Sequence, residues 1–368
     1  MKRGIYRTDN KGLEEAISVL RKGGVIAFPT DTVYGIGCDA DDNSAITRIF
    51  KMKKRKREKP LVMFISHKRL IRDFVIKPTN TRRRLCENFF PGPLTLIMKA
   101  KKRAPQGLLS RNKTISIRIP DNNFLKRLLM RYKKPLATTS ANISGEMPPT
   151  SYKNIKLDVD LLLMNDTIPS GIPSTILDLA HYPFVLRRKG SISIFTVECY
   201  IPSKARFDKS IVFNVLFVCT GNSCRSPIAE GILKKFLQEK RLKNVHVSSC
   251  GILAGDGFLP TKNAVLAAHE RGYNIEEYRS RHINRKIVGT SDLILCMEIF
   301  HKNEVYSLLP KGKDKVFLLT EFHGKDGEID DPIGGDMSVY RKVTKDLERY
   351  VKKVADEFEL RYLIKEHR

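Results

Sequence analysis

Residues 215–227 read VLFVCTGNSCRSP. Val215 to Val218 make an apolar β-type run that ends at Cys219, and five short residues then separate Cys219 from Arg225. Ser226-Pro227, followed by Ile228, Ala229, Ile232, Leu233 and Phe236, has the spacing of an amphipathic helix with proline near its start. A strand turning directly into a helix predicts a Rossmann-like parallel sheet with a phosphate-binding loop. Backbone N–H groups of residues 220–225 and the helix N-terminus would line a cradle of phosphate size, and Arg225 adds a planar fork of donors. The same positive field is expected to draw the Cys219 thiol from about 8.5 toward the roughly 3.5–7.5 found at such sites, making a thiolate nucleophile. A leaving group then needs a proton. Asp331, in EIDDPIGG, is the candidate acid, because Pro332 holds it extended and able to project into a neighbouring pocket.

At 368 residues the chain is long enough for two domains. Regular patterning stops at 198–210, ECYIPSKARFDKS, so residues 1–200 and 211–368 are read as α/β domains joined by a linker at 201–210. No apolar run has the length of a membrane span and no signal segment follows Met1-Lys2-Arg3, which predicts a cytoplasmic protein without a membrane partner. Seven scattered cysteines with no CxxC pair speak against a disulfide framework or a zinc finger. The net charge of +27 is uneven: residues 1–200 hold 38 Lys and Arg against 17 Asp and Glu. Such a field attracts nucleotides, nucleic acid or acidic proteins, and a solvated basic surface is its plain alternative.

The first domain opens with Leu13, Ala16, Ile17 and Leu20 at helical spacing, stopped by Gly23-Gly24, and VIAFP follows as a strand. PTDTVYGIG, residues 29–37, reads as a rigid loop lining a polar pocket. KKRKREKPL at 53–61 offers cations, TISIRIP at 114–120 places Arg118 on an alternating strand, and ATTSANISG at 137–145 is rich in hydroxyls. PSTILD at 173–178 and VLRRKG at 185–190 add a further hydroxyl pair and more arginine. Cations and hydroxyls at several strand ends suit a nucleotide with a small polar partner. With no Cys or His nucleophile among these motifs, positioning and charge stabilisation would do most of the work.

Residues 211–368 resemble a low-molecular-weight protein-tyrosine-phosphatase domain, through CTGNSCRS, the later Asp-Pro and the strand-helix alternation between them. The resemblance implies that Cys219 attacks phosphorus, Arg225 holds the equatorial oxygens, and Asp331 is first acid and then helps water to hydrolyse the phosphocysteine of a phosphorylated protein. It also implies that Asn222 and Ser226 shape the loop and stabilise the thiolate. Ser223 stands where most of the family has Ile or Leu and bacterial protein-arginine phosphatases have Thr, so phosphoarginine is the favoured substrate and phosphotyrosine the alternative. Cys224 is either a small buried residue or, as in relatives, the partner of a reversible disulfide.

Residues 8–198 resemble the threonylcarbamoyl-AMP synthase family of the YrdC type, a twisted mixed sheet with helices, in the order and spacing of the motifs above. Those enzymes join ATP, L-threonine and bicarbonate, with magnesium carried on the ATP phosphates, and supply a tRNA modification. The resemblance places Thr32, Arg118 and Thr138 at threonine, and Arg55, Lys59, Ser140, Ser174 and Arg188 at ATP. VLRRKG carries one residue more than the family pattern, which leaves Arg187 as the alternative to Arg188. Phe64 stands where many archaeal and eukaryotic members have a histidine near the threonine and shorter bacterial relatives vary. The competing reading of this domain is an RNA-binding module without catalysis.

Overall fold

The computed structural model describes residues 4–76, 79–165, 170–310 and 312–362. They divide into two compact units, Met1–Ala205 and Arg206–Arg368.

In the first unit, strands β1 (Gly4–Arg7), β2 (Ile26–Phe28), β3 (Gly35–Asp39), β4 (Val62–Phe64), β5 (Leu94–Lys99), β6 (Thr114–Arg118), β7 (Leu136–Ser140), β8 (Leu161–Met164), β9 (Thr175–Asp178) and β10 (Val185–Arg188) lie in the order β1-β8-β2-β3-β7-β4-β6-β5-β9-β10. The sheet is mixed: β4 runs parallel to β6 and antiparallel to β7. The helix Asn10–Arg21 starts at Asp9, whose carboxylate accepts the Gly12 N–H, and the helix Asn123–Tyr132 starts in the same way at Asn122. Their apolar stripes, Leu13, Ala16, Ile17 and Leu20 on one and Phe124, Leu125, Leu128 and Leu129 on the other, pack in one core with Phe28, Phe64 and Leu136 of the sheet.

One local expectation fails. Residues 29–37 are a loop only as far as Tyr34, because Gly35 to Gly37 already belong to β3, paired with β2 and β7. A Cβ on Gly35 would lie 3.0 Å from the Phe28 ring, so glycine is what lets this stretch join the sheet beneath that ring.

The second unit opens with β11 (Arg206–Phe207), followed by β12 (Phe213–Cys219), β13 (Val245–Gly251), β14 (Leu293–Cys296) and β15 (Val316–Leu318). The last four form a parallel sheet in the order β13-β12-β14-β15. β12 is central, and the chain leaves it toward opposite sides, so its carboxyl end is a switch point where a crevice opens. Cys219 is the last residue of β12, and the helix Arg225–Glu239 begins six residues later. Phe207, inside the segment read as a linker, is fully buried against Phe213 and Tyr362 of this unit.

No helix among the described residues is long and apolar enough to cross a membrane.

Candidate active sites

The turn after β12 closes on itself through short polar side chains. Asn222 adopts φ 51, the left-handed region that asparagine tolerates. Its amide nitrogen donates to the hydroxyls of Ser226 (2.9 Å) and Ser249 (2.8 Å), and its oxygen accepts the Arg281 N–H at 2.9 Å. The Ser226 hydroxyl lies 2.9 Å from Cys219 Sγ. At the neighbouring strand end only glycine fits, since a Cβ on Gly251 would meet Thr220 O at 2.5 Å and Asn222 N at 2.8 Å.

Arg225 is 1% exposed. Its Nη1 donates to Glu298 Oε2 (2.5 Å) and to Ile329 O (2.9 Å), and its Nη2 donates to Asp331 Oδ2 (2.5 Å) and to Thr220 Oγ1 (3.3 Å). The structure thus brings Cys219, Asn222, Arg225, Ser226 and Asp331 to one loop. Ser223 is half-buried, its carbonyl accepting the Thr261 N–H at 3.0 Å. Cys224 Sγ faces the hydroxyls of Thr261 (3.3 Å) and Tyr340 (3.6 Å).

The expected lowering of the thiol is not what this arrangement produces. Burial pushes the Cys219 thiol up, against the Ser226 hydroxyl, the N–H groups of Ser226 and Asn222 and the Arg225 charge, all of which pull it down. The physical reason is the complete burial of the sulfur, the largest of these effects. Glu298, which lies outside the motif, and Asp331 both hold the guanidinium and so weaken its field at the sulfur. Replacing Glu298 by Gln should release that field. We expect the midpoint of Cys219 alkylation against pH to fall by about one unit, followed by peptide mapping with iodoacetamide; an unchanged midpoint would show that the carboxylate does not control the sulfur.

His301, fully buried, completes this layer. Its Nδ1 accepts the Glu298 N–H at 3.1 Å, so Nε2 carries the proton and donates to Thr220 Oγ1 at 2.9 Å. Burial and the nearby Arg225 pull the imidazole down to about 3, which keeps it neutral at physiological pH.

The first unit gathers a different chemistry. Thr30 Oγ1 accepts the N–H groups of Thr32 (3.0 Å) and Val33 (3.2 Å), folding the loop so that the Thr32 hydroxyl meets Arg118. Arg118, 4% exposed at the end of β6, donates through Nε to Gly92 O (3.0 Å), through Nη1 to Thr32 Oγ1 (3.1 Å) and through Nη2 to Asp31 Oδ1 (2.6 Å). Its guanidinium also lies 5.6 Å from the centre of the Phe64 ring. Arg188 donates to Ser174 O (3.0 Å) and Ser174 Oγ (2.9 Å), and the Ser174 hydroxyl touches Thr95 Oγ1 at 2.9 Å. Burial, then the charges of Arg118 and Arg55, bring Arg188 down to about 10, which places the three guanidinium groups in one electrostatic neighbourhood. Arg187 points elsewhere, paired with Asp178 at 2.9 Å. The register between β9 and β10 shifts between Leu186 and Arg188, so the extra residue of VLRRKG is absorbed as a bulge.

Thr138 donates its hydroxyl to Val62 O at 2.8 Å, and Ser140 lies opposite Gly35 in the β3–β7 pairing. Arg55 is tied to the backbone of its own turn, to Lys59 O (2.6 Å) and Pro60 O (3.1 Å), while the Lys59 side chain is exposed.

Two family models match, each within one unit. The model described as telomere recombination, for the Sua5, YciO and YrdC proteins, covers residues 18–190. The model for low molecular weight phosphotyrosine protein phosphatase covers residues 214–363. The threonylcarbamoyl-AMP synthase of Xanthomonas euvesicatoria is 34% identical over 168 residues, 45% of this chain and 88% of its own length. The protein-arginine-phosphatase of Geobacillus stearothermophilus is 34% identical over 148 residues, 40% of this chain and 97% of its own. The chain belongs to both families, one in each unit. The structure of Pyrococcus abyssi Sua5 complexed with L-threonine, at 23% identity, aligns with 86% of this chain and 98% of its own with a TM-score of 0.53, a likeness of fold. The chain spans 55% and 58% of the length of two further curated threonylcarbamoyl-AMP synthases, from Pyrococcus abyssi and Bacillus subtilis.

Against the pattern of the synthase family, Lys53 is the residue that motif reading placed differently. The KKRKREK run was expected to face anions, yet Lys53 is 1% exposed and its Nζ donates to the carbonyls of Ser140 and Asn142. Burial, then the Arg55 charge, brings this ammonium down to about 7. It therefore straps the TSAN turn to the basic segment. In the phosphatase-family unit the residues passed over are Glu298 and His301. Their signal is the stretch CMEIFH after a strand, in which Glu298 and His301 form a reciprocal cap at the start of the helix Ile299–Leu308.

Proposed function

We propose that the chain is a bifunctional enzyme, a threonylcarbamoyl-AMP synthase joined to a protein phosphatase. For the first unit the observation that carries the reading is the pairing of Thr32 with Arg118 beside Arg188 on Ser174. Arg118 uses three of its five N–H groups on protein acceptors and keeps one on each terminal nitrogen, enough to grip the carboxylate of L-threonine between Thr32 and Thr138. Arg55, Lys59, Ser140, Ser174 and Arg188 would hold the phosphates of ATP, on which magnesium would be carried. Catalysis then consists of holding threonine, bicarbonate and ATP in reacting order while cations take up charge on the departing pyrophosphate. The adenylate so made would serve tRNA modification. The test is release of pyrophosphate that requires both threonine and bicarbonate. Tight RNA binding without such release would instead assign an RNA-binding module.

For the second unit the carrying observation is Cys219 at 2.9 Å from Ser226 with Arg225 bonded to Asp331. A phosphoryl group entering the loop would draw Arg225 onto its oxygens and free Asp331 to protonate the leaving group while sulfur attacks phosphorus. Water would then release phosphate from the phosphocysteine. The substrate is phosphoarginine on a protein, in keeping with the small hydroxyl of Ser223 and with the name of the Geobacillus relative. A small polar side chain leaves room beside a flat guanidinium, where Ile would pack on a phenyl ring. Replacing Ser223 by Ile should lower the ratio of kcat/KM for phosphoarginine over phosphotyrosine peptides by about tenfold or more. An unchanged ratio, or a wild-type preference for phosphotyrosine, would overturn the assignment.

A further inference from the structure

Beside the Arg118–Thr32 pair lies a cavity of about 600 Å³, lined among others by Thr8, Thr30, Asp31, Asp121, Asn122 and Asn165. Asp31 forms part of its wall. Oδ1 of Asp31 accepts from Arg118 at 2.6 Å, while Oδ2 is buried and has no hydrogen-bond partner among the described residues. Burying a carboxylate oxygen without a donor is costly, so a donor supplied from the cavity is the natural completion of the site. The synthase reading defines that donor. An amino acid whose carboxylate sits on the free N–H groups of Arg118 carries its nitrogen on the next carbon, within reach of the other face of the group that Arg118 already holds.

We propose that Asp31 receives the α-ammonium of threonine on Oδ2 and takes its proton, making it a catalytic base of the first unit; this rests on the proposed synthase activity. An α-amine is protonated below about pH 8 and has no lone pair to offer until a base removes a proton. Transfer of one proton to Asp31 leaves a neutral amine. Its lone pair forms the N–C bond to bicarbonate, the C–OH bond breaks, and the hydroxide leaves as water with a second proton from nitrogen. The products are one carbamate, one water and protonated Asp31, which returns its proton to solvent. No oxidant or further reactant is required, and the carbamate oxygen is the group that meets ATP. Arg118 joins the two tasks, since the guanidinium that grips the carboxylate also fixes the base.

The experiment compares wild type with Asp31→Asn, a replacement of equal shape, in threonine-dependent pyrophosphate release across pH. In the variant kcat/KM for threonine is expected to fall about 10²- to 10⁴-fold and to climb with pH as hydroxide replaces the base, a recovery that a purely structural role would not give. An active wild type with an equally active variant, or a loss that pH does not relieve, overturns the role of Asp31 alone. A wild type that releases no pyrophosphate with threonine overturns the synthase reading and this role with it. Should the variant not fold, calorimetry on the wild type decides: 3-hydroxybutyrate, which lacks the amine, is expected to bind about tenfold or more weakly than threonine, and equal affinities would overturn the proposal.

Discussion

Replacing Cys219 by Ser is expected to lower phosphatase turnover by about 10⁴-fold or more, the scale on which loss of a nucleophile leaves only binding and charge stabilisation. Serine retains the contact that Cys219 Sγ makes with the Ser226 hydroxyl at 2.9 Å, so the loop should keep its shape while losing a sulfur that can ionise. Threonine-dependent pyrophosphate release by the same preparation should be unchanged. Each candidate site is built within its own unit, Met1–Ala205 or Arg206–Arg368. Loss of both activities in the Ser variant would contradict that independence.

The second large effect is expected at Arg118. Its removal breaks the bonds to Gly92 O, Thr32 and Asp31 and leaves Asp31 without its counter-charge in a site where the arginine side chain is 5% and the aspartate 14% exposed. Truncating one partner of such a pair costs about 2–5 kcal/mol, so the threonine KM of Arg118→Ala should rise by about 30-fold or more. Hydrolysis of phosphorylated peptides by the second unit should be spared, and serves as the internal control for folding. Arg118→Lys keeps the charge but not the fork, and should fall between the two. An unchanged threonine KM in the Ala variant would remove Arg118 from the carboxylate clamp.

What was legible in the chain depended on how locally it is encoded. Cys219, Asn222, Arg225 and Ser226 lie within one turn, and a strand running into a helix leaves that turn few ways to fold, so their meeting could be read from spacing. Asp331 is distant, but the proline after it marks a constrained loop. Glu298 and His301 reach the loop only because β14 pairs with β12, setting Cys296 opposite Val218, and an apolar run does not reveal its neighbour or its register. The ionisation of Cys219 departs from the motif's reading because the motif counts the cations near the sulfur but neither its burial nor Glu298, the second carboxylate on Arg225. In the first unit the choice between Arg187 and Arg188 turned on a single bulge, because one residue of slip exchanges the faces of a strand. Lys53 looked like its cationic neighbours, and only the approach of β7 to the basic turn converts it into a buried strap. The α/β character of the units was readable because apolar runs, glycine stops and helical spacing all agreed, whereas the mixed sheet of the first unit was implied by the family resemblance alone.

The proposed phosphatase chemistry stands on a covalent bond between phosphorus and one sulfur. The direct measurement is a denaturing quench of the full chain during turnover of a phosphoarginine peptide, followed by mass mapping of its peptides. A phosphate on the peptide carrying Cys219, absent from the Cys219→Ser variant, is the predicted result. Rapid turnover with Cys219 unmodified, or with the phosphate on another residue, would contradict it.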